Sequence, residues 1–327
     1  IFAIAGFTVK ASRAFGRING AKHTYKRFNQ VMKFSRYNSQ DSDFTDFIFK
    51  GTYYYANMIS NIMDSPYDYI RSLSEFWRAG DNKISLNFHP FPRESVFHSF
   101  TYFIIESALF EELPGSEELE NFKKNYAAYT SHAAGYIEEP FLTDIEYYAH
   151  HYNFDVGHPW LAVEKDIKDL TEDDVFTYYG ELQFYRDDYE KLLKVISNEV
   201  FNVLFANRLL MGKFNNLIAN TVSSSTLDDI PSDYAHFFKQ DGVLKRVKIP
   251  EWAKRAIIFR DHGYCVRCHK DVSIQRRNND EAQIDHIIPL ADGWLNDISN
   301  LQLLCKHCNT QKGDRYYYTS NSSIDWY

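Results

Sequence analysis

Apolar residues return every three or four positions through NMISNIMDSPYDYIRSLSEFWRAG, residues 57–80, which is the spacing of one helical face. Pro66 predicts a break into two helices, and Gly80 an end to the second. Residues 81–93, DNKISLNFHPFPR, carry two prolines and read as a crossing loop. The next stretch, ESVFHSFTYFIIESALFEEL, is apolar around most of a turn and predicts a buried helix closed by Pro114 and Gly115. Helices are expected over 117–137 and 141–151, then a turn at Gly157, His158 and Pro159. From Thr171, an N-cap followed by Glu172, Asp173 and Asp174, the pattern is helical again. Leu182, Tyr185, Tyr189, Leu192 and Ile196 share a face, and the continuation to Met211 predicts one long helix or two joined end to end. Residues 221–233, TVSSSTLDDIPSD, are polar and read as a loop, so a domain boundary is expected between them and Pro250. The expected organisation is multidomain: a mainly α-helical region over 1–244 and a small domain over 245–327.

Charge divides the chain differently from its average. The net charge of −8 argues against a nucleic-acid partner. Residues 1–40, however, hold eight Lys or Arg and no acid, while 41–244 hold 34 acids against 15 bases. From 245 onward 13 bases face 10 acids, and ten of those bases lie between 245 and 277. Local positive fields of this kind steer polyanions even on an acidic protein. No apolar run approaches the length that spans a membrane.

All four cysteines, Cys265, Cys268, Cys305 and Cys308, form two Cys-x-x-Cys pairs within 44 residues. Thiols packed singly in cores would scatter, and a disulfide scaffold would need more of them for this length. A structural Zn²⁺ in a reducing compartment, the cytoplasm, is the expectation. Four thiolates complete a tetrahedron, so His269 and His307 beside the pairs are not needed as ligands. His98, His132, His150 and His151 lie in helical, aromatic-rich stretches and are expected to pack rather than to form a second metal site.

Between the cysteine pairs the chain reads IDHIIPLADGWLNDISNLQLLC, residues 284–305. A strand turns neighbouring side chains to opposite sides. Asp285 is then free to offer a hard oxygen ligand to Mg²⁺ or Mn²⁺ while His286, a natural base near neutrality, activates water. Asn309, next to Cys308, supplies a second hard ligand from the helix that follows.

The span 249–315 closely resembles the HNH endonuclease domain, the ββα-metal fold. IPEWAKRAIIFRDHGYCVRC matches the entry helix and first knuckle, IDHIIPLADGWLNDISNLQLLC the central signature, and CNTQKGD the closing helix. The resemblance implies His286 as general base, Asp285 and Asn309 as ligands of the catalytic ion, Asn300 as the residue securing the loop that orients the base, and Lys312 as a phosphate contact. Asn309 stands where many members carry His, which favours Mg²⁺ or Mn²⁺ over softer ions. The expected activity is hydrolysis of DNA, expected to be double-stranded, leaving a 5′ phosphate and a 3′ hydroxyl. Lys245, Arg246, Lys248, Lys254, Arg255, Arg260, Arg267, Arg276 and Arg277 form the nearby basic supply. The front region would target, restrain or dimerise the nuclease or dock a protein partner, in a restriction or antiviral-defence setting. The competing expectation is a zinc module that binds nucleic acid without cutting it, as part of a larger complex. A Gly-rich loop with Lys and Ser/Thr for ATP is absent.

Overall fold

The computed structural model describes residues 48–69, 76, 88–131, 140–185, 187–224, 226–230, 232–273, 282–289, 293, 295–313 and 318–322. The basic stretch 1–40, most of the second helix expected after Pro66, His132, Arg276 and Arg277 lie outside these residues. The front of the chain is helical: α1 Thr52–Asp64, α2 Val96–Glu111, α3 Ser116–Ser131, α4 Asp144–Tyr152, α5 Pro159–Ala162, α6 Glu172–Tyr185, α7 Asp187–Phe205, α8 Arg208–Ser223 and α9 Ser232–Ala235. A short hairpin, β1 Phe238–Gln240 and β2 Val243–Leu244, leads to α10 Glu251–Arg260. Strands β3 Ala282–His286 and β4 Leu301–Cys305 form a second antiparallel pair, and α11 Lys306–Lys312 follows at once.

Helix ends follow local chemistry. α1 stops at Ser65, ahead of Pro66. α4 begins in a capping box, the Thr143 side chain taking the Glu146 N–H while the Glu146 carboxylate takes the Thr143 N–H. The periodic stretch from Thr171 to Met211 resolves into α6 and α7, on either side of residue 186, which lies outside the described residues, and the start of α8, set apart from α7 at Asn207. Asn207 accepts the Leu210 N–H and so opens α8 as a new helix, a competing local bond that the apolar period does not register.

The described chain divides into two compact units, one holding residues 48–50 and 106–195, the other the described parts of 51–105 and 196–322. In the first, Leu119 and Phe122 of α3 pack with Leu142, Trp160, Leu170 and Val175. Glu146 there is buried and takes a 2.5 Å bond with His158, whose ring stacks on Trp160. In the second, an aromatic core joins three helices, with Phe214 of α8 set 4.8 Å from Phe97 and 5.2 Å from Phe100 of α2, and Phe201 of α7 6.1 Å from Phe97.

His98 belongs to that second core. Its Nδ1 accepts the Ser95 backbone N–H at 3.0 Å, and its ring stacks on Phe201 at 3.6 Å. Burial lowers its pKa to about 4. The unfolded chain therefore binds this proton first as pH falls. The stabilising contribution of the neutral ring is complete above the usual histidine pKa and is lost progressively from there down to about pH 4. For a ring only partly shielded from water we expect about 2 kcal/mol over that window. Urea denaturation at pH 7 and pH 4.5 checks this: His98→Gln should lose measurably less stability across the interval than the wild type.

Candidate metal centre and active site

Two local structures carry the four cysteines to one point. Gly263 adopts φ +74°, and a Cβ there would lie 2.7 Å from that of Ser273, so the tight entry to the first knuckle needs glycine. Beyond it Tyr264 bridges Asp271, Cys265 N donates to the Lys270 carbonyl at 2.9 Å, and His269 N donates to that of Cys265 at 2.8 Å. This turn presents Cys265 and Cys268 together. β4 delivers Cys305 at its end, and the first turn of α11 delivers Cys308, whose N–H reaches the Cys305 sulfur at 3.4 Å. Val266 N donates to the Leu303 carbonyl at 3.0 Å and so stitches the knuckle to β4. The four sulfurs lie within 4.8 Å of one another, Cys268 and Cys305 at 3.7 Å, and all four thiols are free. A tetrahedron with zinc–sulfur bonds of about 2.3 Å has edges of about 3.8 Å, so the donor set fits a closed structural zinc. Among the described residues, neither His269 nor His307 joins the cluster.

The hairpin between the pairs sets the remaining side chains. β3 and β4 pair with Asp285 opposite Gln302 and His286 opposite Leu301. Asp285 Oδ2 accepts from Lys312 Nζ at 2.9 Å and from Gln302 Nε2 at 3.4 Å. Lys312 is buried, and its ammonium also donates to the His286 carbonyl at 2.7 Å. The position expected to reach a phosphate thus spends its charge on Asp285, because the short α11 turns residue 312 inward onto the hairpin. Asn309 is half-buried and lies three residues before Lys312 on α11, a spacing that places two side chains on one helix face.

Asn300 is fully buried and brackets the turn after His286: its Oδ1 accepts the Ile288 N–H at 2.8 Å and its Nδ2 donates to the Ile288 carbonyl at 2.9 Å. Its own carbonyl takes the Ile287 N–H at 2.6 Å. His286 itself is only 4% exposed. Its Nε2 is sealed from solvent without a partner. Burial first, then the charges of Arg246 and Lys312, hold its pKa down to about 3. The ring is therefore neutral at pH 7, the form in which imidazole accepts a proton.

Several residues of the site's frame escape a linear reading. Asp297, fully buried, accepts the Val96 N–H at the start of α2 at 3.0 Å and both the N–H and hydroxyl of Ser299. Asn215 of α8 donates to the Ser299 carbonyl at 3.1 Å, and Phe91 N donates to that of Asn296 at 2.7 Å. The polar run NDISN inside an apolar stretch is the only sequence signal for this anchoring, and its partners lie 84 and 201 residues away.

Compared with known proteins, residues 265–315 match the family model of the HNH endonuclease. Neither the curated proteins nor the solved structures contain a match to the chain. Among the described residues no helix is long and apolar enough to cross a membrane.

Proposed function

We propose that β3, β4 and α11 form the centre of a metal-dependent endonuclease that hydrolyses phosphodiester bonds of DNA. The match over 265–315 supports a nuclease-type function. The observation that carries the finer reading is the bracket of Asn300 on Ile288, which fixes the turn carrying a neutral His286. In this reading His286 takes the proton of the attacking water. Asp285 and Asn309 would hold the divalent cation, with the Lys312 ammonium withdrawing from Asp285 as it binds. Such a cation, when bound, neutralises charge on the phosphate and on the departing 3′ oxygen. The four cysteines hold hairpin and helix together so that these groups keep one geometry.

A second reading, a zinc module that binds nucleic acid without cutting it, draws on two specific observations. The His286 ring is almost closed to water, and Asp285 is already paired with Lys312. Plasmid nicking in Mg²⁺ separates the two. The nuclease reading expects His286→Ala to slow nicking at least about a hundredfold, with zinc content and melting behaviour retained. A wild-type chain that binds plasmid but never nicks it, or a variant that nicks as well as the wild type, would refute the nuclease and leave the binding module. For the biological setting we propose restriction or antiviral defence; phage plating on cells carrying wild type or His286→Ala tests it, equal plaque counts being the adverse result.

A further inference from the structure

Asp285 meets its two neighbours through one oxygen. Its Oδ2 lies 2.9 Å from Lys312 Nζ and 3.4 Å from Gln302 Nε2, while among the described residues Oδ1 takes no hydrogen bond. Gln302 stands directly across the β3–β4 pair from Asp285, where side chains share one face of a sheet. It is fully buried. Its Nε2 also donates to the Tyr318 carbonyl at 2.9 Å, and among the described residues its Oε1 has no partner. The NH₂ group alone therefore orients this amide, between a carboxylate and a carbonyl. That carbonyl belongs to segment 318–322, beyond the matched span. The segment is pinned along its length. The Arg267 guanidinium, between Cys265 and Cys268, lies 5.3 Å from the centre of the Tyr318 ring. Arg208 Nε and Nη2 donate to the Ser320 and Ser322 carbonyls at 2.5 and 2.8 Å. Asn321 accepts the Leu209 N–H at 2.9 Å and donates to Asn207 Oδ1 at 2.7 Å.

We propose that Gln302, anchored on segment 318–322, is a positioning residue that holds the Asp285 carboxylate by Oδ2 while a divalent cation replaces Lys312 and takes Oδ1. The inference rests on the assignment of that cation to Asp285 in the reading above. The two donors on Oδ2 respond differently to an incoming cation. The ammonium is a mobile point charge on a flexible stem, and like charge drives it away. The amide carries no net charge, and its second hydrogen bond, to a pinned carbonyl, keeps it from following. Once Lys312 has left, Gln302 is the group that stops the carboxylate turning about its last bond. Hydrogen bonds behind a ligating carboxylate fix its orientation and strengthen the site. The metal site then depends on a stretch of chain outside the family match, tied both to the cysteine knuckle and to the start of α8.

The experiment is titration of Mn²⁺ into the zinc-loaded full chain, followed by the electron paramagnetic resonance of the free ion, for wild type, Gln302→Met, Asn321→Ala and Asp285→Ala. Loss of binding in Asp285→Ala identifies the site. Gln302→Met keeps the length of the side chain and removes the donor; it should bind Mn²⁺ at least about tenfold more weakly, with zinc retained. Raising Mn²⁺ should then return its nicking rate towards that of the wild type, which a damaged fold would not allow. Asn321→Ala loosens the exposed end of the segment and should weaken binding in the same direction but less. It carries the test should Gln302→Met lose its zinc. Wild-type affinity in Gln302→Met, with Asp285→Ala unable to bind, overturns this inference alone, and wild-type affinity in Asn321→Ala overturns the part of the segment. A wild type that binds no Mn²⁺ through Asp285 overturns the inference and the metal assignment together. Weaker binding by Gln302→Met in a chain whose wild type never nicks plasmid supports the inference and refutes the nuclease.

Discussion

Stripping zinc from this chain is expected to be its most damaging single perturbation. A strong chelator at neutral pH should remove one zinc per chain, expose four titratable thiols and lower the melting temperature of the unit that carries the cysteines by roughly 10–20 °C, as a loss of about 5 kcal/mol does in a domain of this size. Cys265→Ser should reproduce the stripped state without chelator. The reason is geometric. The knuckle at 263–272 is held to β4 by the Val266–Leu303 bond, and α11 is barely two turns long; neither has a deep core of its own. Burial and the adjacent sulfurs push the Cys308 thiol up, so without a cation that thiol keeps its proton and the sulfurs lose the tie that draws them together. Binding a metal must displace that proton, and acidification should therefore release the metal. A chain that copurifies with no zinc, or melts unchanged once stripped, would overturn the closed-site assignment.

The metal-centre part of that prediction was readable before any coordinates because its logic is local. Each Cys-x-x-Cys pair turns two thiols to one side within a single turn of chain, and only the meeting of the two pairs needs the fold. Helices in the front region were legible for a similar reason: the apolar period, Pro66 and the Thr171 cap all act within a few residues. The break at Asn207 was not, since a side-chain oxygen taking the Leu210 N–H leaves the hydrophobic period intact.

The frame around the candidate site was invisible for the opposite reason. Asp297 capping α2, Asn215 gripping Ser299 and Asn296 holding Lys245 join segments far apart in sequence. Spacing rules do not reach across such distances, and polar residues of these types are mostly surface residues. Lys312 illustrates the limit within the motif itself. Residue type and position suggest a phosphate contact, but which way a lysine points on a seven-residue helix depends on how that helix packs, and here it packs Lys312 against Asp285.

Replacing Asp261 by Asn should cost about 3–5 kcal/mol of stability, the range for removing one partner from a buried charge cluster. The Asp261 side chain is fully buried. Its Oδ1 accepts from Arg208 at 3.1 Å and from Arg260 Nε at 2.8 Å. Its Oδ2 accepts from Arg260 Nη2 at 3.0 Å and from the Leu303 N–H on β4 at 2.9 Å. The amide of Asn keeps the shape but not the charge, and its NH₂ faces donors on every side. Two guanidinium groups would then remain buried with no counter-charge. Arg208, whose Nε and Nη2 hold the carbonyls of Ser320 and Ser322, and Arg260, which holds the Leu301 carbonyl at 2.7 Å, are too constrained to swing into water. Urea midpoints check this against Lys213→Ala, which removes an exposed pair with Asp64 and should cost less than about 1 kcal/mol. Equal losses for the two variants would refute the cluster's role. The expected consequence reaches the site through β4, because the carboxylate that neutralises α8 and α10 also fixes the strand that carries Gln302 to Asp285 and Cys305 to the metal. Nicking by Asp261→Asn at low temperature, where the fold survives, should therefore fall further than its stability loss alone accounts for.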